Sequence, residues 1–197
     1  MHIDVPVYDG IDEMDALGPL EVLRSAEREG ADFRTRLVTR TPRPQVTASY
    51  GLRFLPDDVY SPGADLLIVP GGGWAARSEH GAWGEVRRGA WLPLLADAAE
   101  HAVMAGVCSG TMLLAHAGVV GSRRANTHHT ARDDLAATGA RLVTDRVVDD
   151  GPLITAGGVS SGIDLALWVV ERFATRELAD RVAARMEYAR TRPRLDD

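Results

Sequence analysis

The sequence predicts an α/β fold built on a mostly parallel sheet. Apolar, partly β-branched runs that read as buried strands alternate with segments of helical period. Loops rich in glycine crowd at the ends of those runs: Gly71-Gly72-Gly73, Gly106 and Gly110 around Cys108, and Gly157-Gly158. Strands separated by helices must cross over, and so pair in parallel. Ligands of such sheets bind outside the carboxyl ends of the strands. Asp15, Gly72, Cys108 and His128 each fall just past an expected strand.

Residues 2–8 are the first strand, with Pro6 marking an edge, a strand end or a bulge. Gly18-Pro19 interrupts the next helical pattern, so the first helix is expected to begin near Pro19 and to be capped by Gly30. Asp12, Glu13 and Asp15 then lie on the connection ahead of it and, on their own, read as a solvated acidic turn. Residues 33–39 are a strand, and 46–55 a hairpin around Ser49-Tyr50-Gly51. Residues 65–69 are a buried strand that ends in Gly71-Gly72-Gly73. Those backbone N–H groups suit an oxyanion pocket better than a phosphate loop, since Gly-x-x-x-x-Gly-Lys-Ser/Thr is absent. Residues 74–88 are irregular with room for a short helix, 89–100 a helix, and Val103–Val107 the central strand. A helix follows from Thr111. Residues 125–130 lead into another, capped by Thr130 and closed by Gly139. Short strands are expected at 141–144, 146–148 and Leu153–Ala156, then a buried helix over 163–173 and an amphipathic one over 176–190. A single domain thus spans residues 1–190, and 191–197 are a tail expected to fray.

Composition narrows the function. A net charge of −6 argues against an electrostatic nucleic-acid binder and against a surface that seeks anionic lipid. No apolar run is long enough to span a bilayer, and no signal peptide opens the chain, so no membrane partner is expected. One cysteine cannot form an internal disulfide, which fits a reducing, cytoplasmic setting. His128 and His129 have no further ligand at metal spacing, so neither a metal nor another cofactor is expected.

Cys108 sits between the central strand and a helix start, on a turn flanked by Gly106 and Gly110. This is the geometry of a nucleophile elbow, although Gly-x-Ser-x-Gly itself is absent. Unpaired N–H groups at a helix N-terminus would favour the thiolate. A lone cysteine is also at home as a small buried hydrophobe, and both readings stand at this point.

Several stretches together resemble the DJ-1/PfpI superfamily: Val-Pro-Gly-Gly-Gly (69–73), Gly-Val-Cys-Ser-Gly (106–110), Ala-Asn-Thr-His-His (125–129), Val-Val-Asp-Asp-Gly (147–151) and Thr-Ala-Gly-Gly-Val-Ser-Ser-Gly-Ile-Asp (155–164). With Asp-Ala-Leu-Gly-Pro-Leu-Glu-Val (15–22) the resemblance covers nearly the whole chain. It points to the branch with isonitrile hydratases and the ligand-like domains of certain AraC-type regulators. The resemblance implies a flavodoxin-like three-layer sandwich, a homodimer and a small-molecule substrate. It implies that Cys108 is the nucleophile and Asp15 its acidic partner, with Glu13 the weaker candidate. Ser109, grouped with these two, stands where isonitrile hydratases usually have threonine and PfpI-type proteases histidine. His128 matches the family's histidine near the cysteine. His129 stands where isonitrile hydratases usually carry tryptophan.

The activity so implied is hydration of an isonitrile to an N-substituted formamide through a thioimidate on Cys108, with Asp15 moving the proton. Backbone N–H groups at Gly72, Gly73 and Ser109 are expected to line the pocket with His128 and His129. The alternatives are glyoxalase- or deglycase-like chemistry on small dicarbonyls, and a redox or ligand sensor that uses the same cysteine without turnover.

Overall fold

A computed structural model describes residues 1–194. Its strands are β1 (His2–Pro6), β2 (Arg34–Thr39), β3 (Val46–Thr47), β4 (Arg53–Phe54), β5 (Asp58–Val59), β6 (Leu66–Val69), β7 (Val103–Val107), β8 (Arg124–Ala125), β9 (Arg141–Leu142), β10 (Val147–Asp149) and β11 (Leu153–Ala156). Its helices are α1 (Glu13–Arg28), α2 (Ala82–Arg88), α3 (Leu92–Ala98), α4 (Gly110–His116), α5 (Arg132–Ala137), α6 (Ser161–Phe173) and α7 (Arg176–Arg185). The central sheet runs β10-β11-β7-β6-β1-β2-β5, and only the β10–β11 pairing is antiparallel. Helices α1, α6 and α7 pack together, as do α2, α3 and α4. The result is a flavodoxin-like three-layer sandwich. The β3–β4 hairpin stands where the turn chemistry at Ser49-Tyr50-Gly51 places it.

The sheet core is made of strands buried along nearly their whole length, as in a parallel sheet covered on both faces. Strand order reverses between β1 and β6, where a doubly wound sheet opens a crevice at its carboxyl edge. In register, Val69 lies beside Gly106, and Val107 beside Ala156. The loops after β1, β6, β7 and β11 therefore meet at one place.

Helix α1 departs from the sequence expectation. It begins at Glu13 rather than near Pro19, because Asp12 caps it: Met14 N–H donates to Asp12 Oδ1 at 3.0 Å. Pro19 lies inside the helix and removes only the bond to the Asp15 carbonyl, while Gly18 has no Cβ to crowd the ring. Asp15 thus sits in the first helical turn, fully buried, and not on a solvated connection. A second departure lies before α5. A short 3₁₀ turn over His129–Ala131 intervenes, and His128, not Thr130, caps it. A third concerns the chain end. Thr191 N–H donates to Asp164 Oδ1 at 2.5 Å and Arg192 bonds Glu171 at 3.0 Å, so the first tail residues are tied to α6. Residues 195–197 of the expected tail lie outside the described residues.

The turn after β6 and the start of α4 approach so closely that only glycine fits at 110. A Cβ there would stand 2.0 Å from the Val69 carbonyl oxygen. Gly110→Ala is accordingly expected to destabilise the fold by about 1–3 kcal/mol through overpacking. A urea midpoint equal to wild type would contradict this.

Candidate active site

Cys108 follows β7 with a left-handed backbone, φ +57°, and is 5% exposed. Its N–H donates to the Gly157 carbonyl at 2.9 Å, and its own carbonyl accepts from Thr127 Oγ1 at 2.8 Å. The residue is thereby fastened to the loops after β11 and β8. The backbone N–H groups of Val159 and Ser109 favour the charged form of the sulfur, and both residues line the same pocket as Cys108. Val159 holds φ +37°, a conformation that a β-branched residue adopts only when its surroundings force it, at about 1–3 kcal/mol.

Asp15 faces the same sulfur. Gly71 N–H donates to its Oδ2 at 3.0 Å, whereas Oδ1 is buried and makes no hydrogen bond of standard geometry. The Cys108 thiol is the side chain with which the carboxyl interacts. Burial pushes the Asp15 pKa well above the usual carboxylate range, and the nearby Asp12 charge adds to it. Burial likewise pushes the Cys108 thiol far up, and the Asp15 charge pushes it further. The Val159 and Ser109 N–H groups offset only part of this. The sequence expectation of a thiolate-favouring cysteine is therefore corrected. Helix α4 has 7 residues and starts two positions after the sulfur-bearing residue, so its dipole is a small term beside desolvation.

The other expected residues separate clearly. Ser109 Oγ accepts the Gly72 N–H at 2.9 Å, which ties the glycine turn to the start of α4. That bond occupies the Gly72 N–H, so Gly72 cannot serve an oxyanion as expected. Gly73 N–H has no partner among the described residues. His128 caps the 3₁₀ turn, its Nδ1 accepting from Thr130 N–H at 3.3 Å. This bond places the neutral ring's proton on Nε2. Burial, with His129 beside it, lowers the His128 pKa, so the ring is neutral near pH 7. A Cβ at Gly158 would lie 2.6 Å from the His128 ring, so glycine lets the β11 loop touch it. His129 is exposed and stacks on the outside of His128, with ring centroids 4.2 Å apart. It does not line the pocket. Glu13 turns away to hold the hairpin, accepting Tyr50 N–H at 2.8 Å.

Above Cys108 opens a pocket of ≈ 260 Å³. One wall is polar: Asp12, His128 and Thr130. The other is largely apolar: Trp74, Ala75, Ala76 and Val159, with Tyr50 at the rim. Trp74 and Val159 carry no signal in the sequence, and Asp12, which reads there as part of a solvated acidic turn, instead caps α1 and lines the pocket. Trp74 is fixed by its indole N–H, which donates to Asp134 at 2.7 Å. Among the described residues no group of three or more His, Cys, Asp or Glu side chains could hold a metal. No described helix is long and apolar enough to cross a membrane.

The DJ-1/PfpI family profile matches residues 1–172. The chain belongs to the DJ-1/PfpI family. It is 32% identical to an isonitrile hydratase of Pseudomonas putida over 98% of the chain and 81% of that protein. It is 31% identical to a glutathione-independent glyoxalase of Caenorhabditis elegans over 64% of the chain and 66% of that protein. Among solved structures, a ThiJ/PfpI family protein of Pseudomonas syringae superposes with a TM-score of 0.86 at 28% identity, over 98% of this chain and 77% of that one.

The raised pKa values of this family member carry two expectations. Alkylation of Cys108 by iodoacetamide should still be accelerating above the ordinary thiol value of about 8.5, and Asp15→Asn should move the profile to lower pH by removing the neighbouring charge. A profile that levels near the ordinary value would contradict the first. Asp15 has a folded pKa above its unfolded one. Its stabilising contribution is thus present below the unfolded value and lost as pH rises through the folded value. Asp15→Asn should therefore raise the urea midpoint at neutral pH, and a lowered midpoint would contradict the assignment.

Proposed function

We propose that the protein hydrates a small isonitrile to an N-substituted formamide, with Cys108 as nucleophile on its strained turn and Asp15 as proton carrier. The observation that supports this best is the buried pairing of a thiol with a carboxyl, both with raised pKa. The terminal carbon of an isonitrile must receive a sulfur and a proton at the same atom. A thiol and a carboxyl that together retain a proton are suited to supply both. The Cys108 proton passes to Asp15 as the C–S bond forms, and Asp15 gives it to the same carbon, leaving a thioimidate. Water then adds to that carbon. The C–S bond breaks, sulfur regains a proton, and the formamide leaves. Water plus isonitrile equals product, with no other reactant.

The pocket suits this substrate. It is small, its apolar wall can take an aliphatic or aromatic substituent, and the His128 Nε2–H can donate to the thioimidate nitrogen and make its carbon more electrophilic. Similarity to the isonitrile hydratase over nearly the whole chain supports the same reading. Dicarbonyl chemistry is the second reading, supported by the similarity to the glyoxalase over a shorter span. The redox-sensor reading is disfavoured by the chemistry of the thiol: the thiolate is the form that attacks peroxide, and burial here favours the protonated form.

We also place a second copy of the chain on the face formed by the hairpin and the first turn of α1. The exposed large apolar side chains Met14, Tyr50, Leu52 and Leu55 gather there, next to the pocket.

Wild type should release formamide from a small aliphatic isonitrile. Cys108→Ala should not, and Asp15→Asn should lose about 10²–10⁴-fold in kcat. Inert wild type that converts methylglyoxal would turn the assignment to the dicarbonyl reading. Light scattering should give the mass of a dimer, and a single-chain mass would contradict the shared face.

A further inference from the structure

The loop that carries the Val159 N–H is braced from behind. Arg146 precedes β10, and its Nε donates to Asp164 Oδ2 at 2.5 Å, while Asp164 itself is 0% exposed in α6. The same guanidinium donates through a second nitrogen to Ser160 Oγ at 3.0 Å and to the Tyr188 hydroxyl at 3.2 Å. The Arg146 carbonyl accepts Gly157 N–H at 3.0 Å. Both ends of the 157–160 turn are thus held by one residue. Asp164 is held in turn by the chain end: Tyr188 Oη donates to it at 2.7 Å, and Thr191 N–H at 2.5 Å.

Neither Ser160, which is exposed, nor Arg146, which is half-buried, fills the core. What the brace controls is a turn with one strained residue and a short distance to cover. Val159 at φ +37° would relax to an ordinary conformation unless its neighbours were fixed, and its N–H would leave the sulfur. We propose that Arg146 is a positioning residue for Cys108: locked by buried Asp164, it pins the 157–160 turn so that the Val159 N–H stays on the sulfur. Through Tyr188 and Thr191 the C-terminal segment joins the same brace. The inference rests on the reading of Cys108 as the reacting group, but not on the identity of the substrate.

The test is the iodoacetamide pH profile of the single cysteine in Arg146→Lys, Ser160→Ala and, as a control, Arg172→Lys. Lysine keeps a charge near Asp164 but cannot reach Asp164, Ser160 and Tyr188 together. Ser160→Ala leaves the Arg146–Asp164 pair intact. Arg172 pairs with Asp149 in a comparable contact without touching the turn. Arg146→Lys is expected to alkylate about tenfold more slowly at fixed pH, the loss expected for a hydrogen bond to charged sulfur. Ser160→Ala should shift the same way, and Arg172→Lys should follow wild type. Wild-type profiles in both turn variants, with unchanged circular dichroism, would overturn the proposal. So would an equal shift in the Arg172 control. Alkylation needs no isonitrile, so failure of the hydratase reading would leave this result standing.

Discussion

Two acids share one buried space in this protein, and the rest of the site answers to that constraint. A thiolate and a carboxylate cannot coexist there without several kcal/mol of repulsion and desolvation, so the pair keeps a proton. Asp15 is admitted to the interior because α1 starts at Glu13, nearly two turns earlier than Gly18-Pro19 suggests. Gly71 satisfies one of its oxygens and leaves the other for the thiol. Asp12, at the helix cap, adds a negative charge that holds the Asp15 proton more firmly. The same residue thus begins the helix and tunes the site.

The backbone supplies what the side chains do not. The sulfur is approached by N–H groups from two separate loops, and one of them comes from a valine in a conformation that valine avoids. Parallel topology makes this possible, since the carboxyl ends of β1, β6, β7 and β11 meet in register. Close approach there is enforced by glycine at 110 and 158, where any side chain would collide. Strain at Cys108 and Val159 is held by packing and by the Arg146–Asp164 brace, and so is not free to relax.

Much of this was legible in the sequence. The alternation of apolar runs and helical segments gave the sheet class, and Val103–Val107 was readable residue by residue because it is a pure apolar run bounded by turns. Cys108 and Asp15 were legible as a pair through the motifs around them. The start of α1 was not, because Gly18-Pro19 is a strong local break signal, and tertiary packing of α1 against α6 outweighs it. The direction of the thiol pKa is not legible for a related reason. Sequence reveals a nearby helix terminus, but not that the sulfur is buried. Val159 could not be found from pattern, since only the folded turn forces its φ. His129 was indistinguishable from His128 in the sequence, and the 3₁₀ turn sends one inward and the other out.

The central claim is that Cys108 rests as a thiol beside Asp15. A single cysteine makes this directly measurable, because every S–H vibration in the protein belongs to it. The decisive measurement is the infrared S–H stretch of wild type at neutral pH, with Cys108→Ala as the blank. The account predicts an S–H band in wild type that the variant lacks. A missing band, with thiolate absorbance in the ultraviolet at the same pH, would contradict it.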